Sequence, residues 1–389
     1  MQAYALQAGP GPPCILLSWH TAGRRGDTTL HRDWIGHLWT NPAWPLRTCR
    51  KAIFVLTMGM LWPGLPLMAA PPAATATQLT FGILPIGAPS ESLELWRPLL
   101  DDMERAQKRP VRSISVSTYA GLAQALAEKR VDIAFVSGLL ALQAVEHDHM
   151  QVVAQLTRVD GSRGYYAVLL VAKDSPIHQL DDLFRQPGHW RYARGETLSV
   201  SGYLVPEAQL FAQRGLDSDT FFASVAVDNH QNNALAVAND EADVASNNTA
   251  DLKRFAMLFP DQYARLRILW KSSLIPHAVI VIRSDLPPEL RRSLTDFITG
   301  YGQGSSASAE RANLNMIHGI SGFVPAGNDA LLPFAEIGYS LDRQHALTAQ
   351  WVNTKAMHAR LEKIETDHKQ LLKQLQPSPP PLQQDTRPP

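Results

Sequence analysis

The chain has 389 residues, with 36 basic and 36 acidic side chains and no formal net charge. That balance offers no electrostatic footprint for nucleic acid or an acidic membrane surface, so neither is an expected partner. Its length accommodates two ordinary domains plus tails, and 45% hydrophobic residues suits a globular protein with a substantial core.

The first fifty residues hold many Trp, Pro and Arg without clear periodicity. A basic cluster, Arg47-Thr48-Cys49-Arg50-Lys51, then leads into the apolar run from Ala52 to Trp62. Small residues follow at Ala69-Ala70 and Ala73-Ala74-Thr75-Ala76. This order predicts a secretory signal peptide over 47–76, with residues 1–46 an extension upstream of the true start. The mature chain is expected to begin between about residues 70 and 78, and the location is periplasmic. Pro63 and Pro66 interrupt the run, which makes it a poor membrane-spanning helix. Both cysteines, Cys14 and Cys49, precede the expected mature start. Disulfides, thiolate catalysis and Cys-type metal sites are therefore excluded from the mature chain, and no lipid anchor is expected.

From Leu79 strands alternate with helices, an α/β pattern. Leu79 to Leu84, Val111 to Val116 and Val131 to Val136 read as strands. Glu91 to Lys108, Tyr119 to Lys129 (led by Thr118) and Leu139 to His147 read as helices. Continuous apolar strands between amphipathic helices predict parallel sheet covered on both faces. The long run Tyr165 to Ala172 ends at the turn Lys173-Asp174-Ser175-Pro176. A second series follows: strands at Trp190 to Ala193, Phe222 to Val227, Ala242 to Ser246, Leu266 to Trp270 and Ala278 to Ile282, with a helix over Asn232 to Asn239. Trp351 to Leu375 predicts an amphipathic helix without a long heptad seam; whether it packs on the body is left open. The Pro-rich stretch 377–389 cannot bury a core.

The run Leu198-Ser199-Val200-Ser201-Gly202 places two hydroxyls two residues apart, ahead of a helix-compatible stretch through Leu210. Such a turn can offer both hydroxyls and unpaired backbone N–H groups to a tetrahedral oxyanion. The glycine permits close backbone approach. Taken alone, Ser-x-Ser-Gly also describes an ordinary serine cap.

Two segments echo each other, Tyr119 to Ala134 and Asn233 to Ala245. Each is a small-residue helix, a polar turn and a hydrophobic–Asp–hydrophobic–Ala strand. Repetition gives Asp132 and Asp243 a structural reading, such as a bond to a neighbouring helix start. One unit per half predicts two α/β lobes with a ligand cleft at the carboxyl ends of their strands.

Several motifs in order resemble one family: the serine loop with Tyr203-Leu204-Val205-Pro206, Asn229-His230, Ala234 to Asn239, Asn247-Asn248-Thr249 and Trp270 to Pro276. Tyr119-Ala120-Gly121, Val131 to Ala134 and Gly161 to Tyr165 match as well. The chain resembles the periplasmic phosphonate-binding (PhnD-type) subunit of ABC transporters from about Phe81 to the C-terminal helix. That resemblance implies a type II periplasmic-binding fold, two lobes joined by a hinge, with a phosphonate, phosphite or phosphate in the cleft. It places lobe 1 at 79–172 and 277–345, lobe 2 at 173–276 and a terminal helix at 346–376. An ABC permease in the inner membrane is the implied partner, and a monomer without cofactor or metal is expected. A ligand sensor that signals to a membrane kinase is the alternative, with an enzyme on the same fold behind it.

By the same resemblance Ser199, Ser201, His230 and the Val200 N–H hold the phosphorus oxygens from the second lobe. Tyr119 and Tyr165 approach from the first lobe, and Ser137 is a further candidate. Two departures concern specificity. The family has a hydroxyl residue where this chain has Val200. Aminoethylphosphonate-binding members place carboxylates where this chain has Ala250 and Ala278, so a ligand without an amine is expected. Asp251 is one residue along, and its side chain is expected to point elsewhere. No acid is seen to orient His230, and His147, His149, His277 and His318 lack ligand-like spacing.

Overall fold

Apolar runs that need cover on both faces set the architecture: two sheets, each flanked by helices. The computed structural model describes residues 78–304 and 307–376. The expected extension 1–46, the signal peptide 47–76 and the tail 377–389 lie outside the described residues.

The first passage comprises β1 (Leu79–Ile83), α1 (Pro89–Gln107), β2 (Val111–Ser115), α2 (Tyr119–Ala127), β3 (Ile133–Val136), α3 (Gly138–His147) and β4 (Met150–Arg158). After a crossover the chain forms β5 (Gly164–Ala172), α4 (Leu180–Phe184), β6 (Arg191–Arg194), α5 (Ser218–Phe221), β7 (Ser224–Val227) and α6 (His230–Ala238). The same lobe continues with β8 (Val244–Asn248), α7 (Thr249–Leu258), α8 (Pro260–Tyr263) and β9 (Leu266–Pro276). A second crossover returns it to β10 (Val279–Arg283), α9 (Pro288–Gly300), α10 (Ala307–Met316), β11 (Ile320–Pro325), α11 (Leu332–Thr348) and α12 (Thr354–Leu375).

The sheet orders are β11-β4-β10-β3-β1-β2 and β7-β6-β8-β5-β9. Parallel pairing holds for β1, β2 and β3 and for β6, β7 and β8. The sheets are nevertheless mixed, against expectation. β5 and β10, by which the chain enters each lobe from the other, run against the parallel set. β4 and β9, by which it leaves, run with that set. Both crossovers therefore meet the carboxyl ends of the parallel strands, where a cleft is placed in open α/β sheets.

Because β5 belongs to the second sheet, the second lobe starts at Gly164 and not after the turn at 173. The true break is the polar stretch Val159-Asp160-Gly161-Ser162-Arg163. β4 was missed because Gln151, Gln155 and Thr157 dilute its apolar pattern. β9 continues past Trp270 through Lys271-Ser272-Ser273, since an edge strand tolerates polar and charged residues.

The echoing segments pair with their neighbours in the same way. Thr80 N–H donates to Asp132 Oδ2 at 2.9 Å, and Arg191 N–H donates to Asp243 Oδ2 at 2.7 Å. Each aspartate N–H is returned to the carbonyl of that same partner, at 2.9 and 3.0 Å. The role is structural, but the partner is an adjacent strand and not a helix start.

Trp96 fills the first core between Phe81 and Phe135, with ring centroids 5.2 and 5.0 Å away. Tyr192, Phe211, Phe221 and Phe222 fill the second. The terminal helix packs: α12 runs along α11 and buries Leu371 and Leu375 in the first core. Leu341 of α11 meets Leu204 and Ala212 of the second lobe.

Candidate anion-binding site between the lobes

The serine loop follows β6. Ser199 caps the next turn, its Oγ accepting the Gly202 N–H at 3.1 Å. Val200–Leu204 and Glu207–Phe211 wind as π-helix, not the regular helix expected; such wide turns recur at functional sites. Gly202 serves a different approach from the one inferred from sequence. A Cβ there would stand 2.7 Å from Ser199 Oγ and 2.8 Å from Gly195 Cα. Gly195 N–H donates to Gly202 O at 3.1 Å, so the loop folds down onto the end of β6.

All seven residues singled out from sequence line one cavity of about 60 Å³: Tyr119, Ser137, Tyr165, Ser199, Val200, Ser201 and His230. Ala250 and Ala278 line it too. Ser201 Oγ lies 3.2 Å from His230 Nε2 and accepts the Asn248 Nδ2 donor at 3.2 Å. Burial holds the His230 pKa below its ordinary value, with Asp251 pulling the other way. Burial also pushes the Tyr119 and Tyr165 phenols up, Ser199 beside the first and Ser201 beside the second. At neutral pH these residues therefore present phenol hydroxyls, serine hydroxyls, an amide and a neutral imidazole, in a wall shared with Asp251, Arg158 and His277. Ser137 caps α3, its Oγ accepting the Leu140 N–H at 3.4 Å while donating to Leu198 O at 3.4 Å across the lobes.

Three expectations need correction. Tyr165 comes from β5 of the second sheet, not from the first lobe, because the crossover ends just before it. Asp251 does not point elsewhere. It lines the cavity, its Oδ2 accepting from Asn248 Nδ2 at 2.7 Å and lying 3.9 Å from His230 Nε2. An acid thus stands near His230 after all, but it reaches the same ring nitrogen as Ser201, and among the described residues no carboxylate bonds Nδ1. A nucleophile–base–acid relay needs the acid on the opposite nitrogen.

Asn248, Arg158 and His277 also line the cavity, and sequence reasoning did not assign them to it. Asn248 carried the one usable signal: it caps α7 and was quoted in the Asn-Asn-Thr motif. His277 stacks on Tyr165 with centroids 6.1 Å apart, and burial lowers its pKa. Elsewhere, Glu207, Asp217 and His345 bring possible metal-ligand atoms within 4.8 Å of one another, and none of the three lines the cavity.

A family profile for the periplasmic substrate-binding protein of phosphonate ABC transporters matches residues 81–331. The chain belongs to this phosphonate-binding family. It is 33% identical over 287 residues to the phosphonates-binding periplasmic protein of Escherichia coli K12, covering 74% of this chain and 83% of that one. The phosphate-import protein PhnD of Mycolicibacterium smegmatis is 26% identical over 231 residues, or 54% of this chain and 68% of the relative. A crystal structure of a binding-protein component of an ABC phosphonate transporter from Pseudomonas aeruginosa superposes with a TM-score of 0.71 at 30% identity. That match covers 77% of this chain and 98% of the other. The type II periplasmic-binding fold and the role of ABC-transporter substrate-binding component follow from this membership.

In this phosphonate-binding family member the lobes are held together around the cavity. Glu196 of the second lobe accepts the Tyr119 N–H at 2.8 Å and the Ala120 N–H at 3.2 Å, at the start of α2. Arg254 of α7 pairs with Glu91 of α1. A wider cleft of about 860 Å³ adjoins the small cavity, with Arg158, Tyr165 and Ala250 in the walls of both.

Proposed function

We propose that the protein captures a small phosphorus oxyanion without an amino group, a phosphonate, phosphite or phosphate, and delivers it to an inner-membrane ABC permease from the periplasm. Ser199, Ser201, His230 and the Val200 N–H grip the phosphorus oxygens. Tyr119 and Tyr165 complete the cage, and Ser137 lies at its edge. The observation that carries this reading is the convergence of these hydroxyls, with Asn248 and His230, on one cavity of about 60 Å³. A water needs about 10–15 Å³ of such space, so the cavity holds a few waters' worth, which suits an oxyanion with a small substituent. Fixed donors that meet an ionised oxygen give charge-assisted hydrogen bonds, the strong kind.

Two features favour an amine-free ligand. Ala250 and Ala278 leave methyl groups where amine-binding relatives are expected to carry carboxylates. The one carboxylate in the wall, Asp251, is engaged by Asn248. The site favours binding over a serine–histidine–acid relay, because the serine and the acid crowd one imidazole nitrogen. Titration calorimetry with phosphite, methylphosphonate, phosphate and 2-aminoethylphosphonate tests the reading. Methylphosphonate or phosphite is expected to bind tightly and 2-aminoethylphosphonate weakly. Tight binding of the amine would overturn the amine-free assignment and make Asp251 its counter-charge.

A further inference from the structure

The wider cleft beside the cage has features that a small ligand leaves unused. It lies between the lobes, with Leu95 and Met316 on one side and Met257 and Leu258 on the other. Met257, Met316 and Leu258 are exposed at 76, 55 and 49%, an apolar surface of adaptable side chains. Four cations line the cleft. Lys253 is paired with Asp160 and Arg254 with Glu91. Arg158 and Lys271 have no carboxylate partner among the described residues. Arg158 Nη1 donates to the His318 carbonyl, while its Nε is buried without a hydrogen-bond partner among the described residues. Lys271 Nζ rests 3.7 Å from the centre of the Tyr166 ring, next in sequence to Tyr165 of the cage. The two carboxylates in these walls, Glu91 and Asp160, are the ones paired with Arg254 and Lys253.

We propose that the cleft is a second subsite, for the tail of an extended ligand: a phosphonate joined by an apolar spacer to a carboxylate. This rests on the anion-cage reading above and deepens it. The phosphonate sits in the cage. The spacer passes Ala250, the small residue in the wall common to both spaces, and lies on the Met257 and Met316 surface. The distal carboxylate meets Lys271, with the Arg158 guanidinium in the shared wall favouring a second negative charge. A tail that ends in an ammonium meets two unpaired cations instead.

The test is calorimetric titration of the mature chain with matched pairs. Each ω-phosphonocarboxylate of three to six carbons is compared with the alkylphosphonate of equal length, and methylphosphonate serves as the tail-free control. At least one acid is expected to bind about tenfold more tightly than its alkyl partner, the effect of one charge-assisted contact. K271Q and K271E are expected to abolish that gain and to leave methylphosphonate binding unchanged. Equal affinity within every pair, or weaker binding of every acid, overturns the proposal. A gain that survives in both Lys271 variants overturns its assignment to this cleft. If methylphosphonate and phosphite themselves fail to bind, the cage reading falls and this inference falls with it, a result visible without any tail.

Discussion

The Glu196 carboxylate, in the second lobe, accepts the backbone N–H of Tyr119, in the first, at 2.8 Å. Its other oxygen takes the next N–H, so one side chain from across the cleft satisfies two donors of the first turn of α2. The contact exists only when the lobes are together. E196Q is therefore expected to weaken closure and to lower affinity for every ligand by a similar factor, about threefold to tenfold. Calorimetry across several oxyanions checks it; a loss confined to one ligand would argue against a general latch.

Ser201 links two other members of the cage, with His230 Nε2 and Asn248 Nδ2 each 3.2 Å from its Oγ. S201A removes one donor to the anion and leaves the Asn248 amide short of an acceptor. The expected loss is about 1.5–3 kcal/mol, roughly tenfold to a hundredfold in affinity. The variant should melt within a few degrees of the parent, which separates a lost contact from a lost fold.

Gly202 has no room for a methyl group, with Ser199 Oγ at 2.7 Å and Gly195 Cα at 2.8 Å from the place it would occupy. G202A must lift the serine loop off β6. We expect destabilisation of about 1–3 kcal/mol and a larger loss of oxyanion affinity than in S201A. Denaturant unfolding and calorimetry on the same sample measure both.

Three histidines are held below their ordinary pKa, with burial the leading cause at each: His230, His277 and His318. His318 is lowered to about 4, the Arg254 charge adding to burial. The unfolded chain binds these protons first as pH falls. Their contribution to stability is therefore complete above about pH 6.5 and is lost as pH drops toward 4. The melting midpoint of the ligand-free protein should fall between pH 7 and 4.5, on the order of 5 °C. H318N should flatten the decline, since asparagine tolerates the left-handed backbone at this position, where φ is 53°.

Ala250 stands in the cavity wall, at the position where the family resemblance puts a carboxylate in amine-binding members. A250E is expected to improve 2-aminoethylphosphonate binding by about tenfold or more and to weaken methylphosphonate binding through like-charge repulsion. Opposite signs for the two ligands distinguish a new counter-charge from general damage to the site.

The family resemblance, not a capping pattern, picks out the cage, although several of its members do sit at helix starts. Tyr119 follows the Thr118 cap, Ser137 caps α3, Ser199 caps the serine loop and His230 follows the Asn229 cap. The alternating apolar runs likewise gave the strands of both parallel sets. What sequence hid was set by long-range pairing. His277 lies in one crossover and Arg158 at the end of β4 just before the other, and their placement depends on β4 pairing with β10 and β5 with β9 across 94 to 133 positions. The lobe of Tyr165 turned on which sheet claims β5. Asp251 was misjudged because its direction follows from reciprocal bonding with Asn248, which no spacing rule conveys.

The position of β10 bears on how the molecule is built. It lies between β3 and β4, yet more than a hundred residues separate it from either strand along the chain. During synthesis the segment 164–276 can complete its own sheet, while β3 and β4 wait with open hydrogen-bonding edges. The lobe begun first is thus finished last, and a ribosome stalled before Val279 would release one mature half attached to an aggregation-prone fragment.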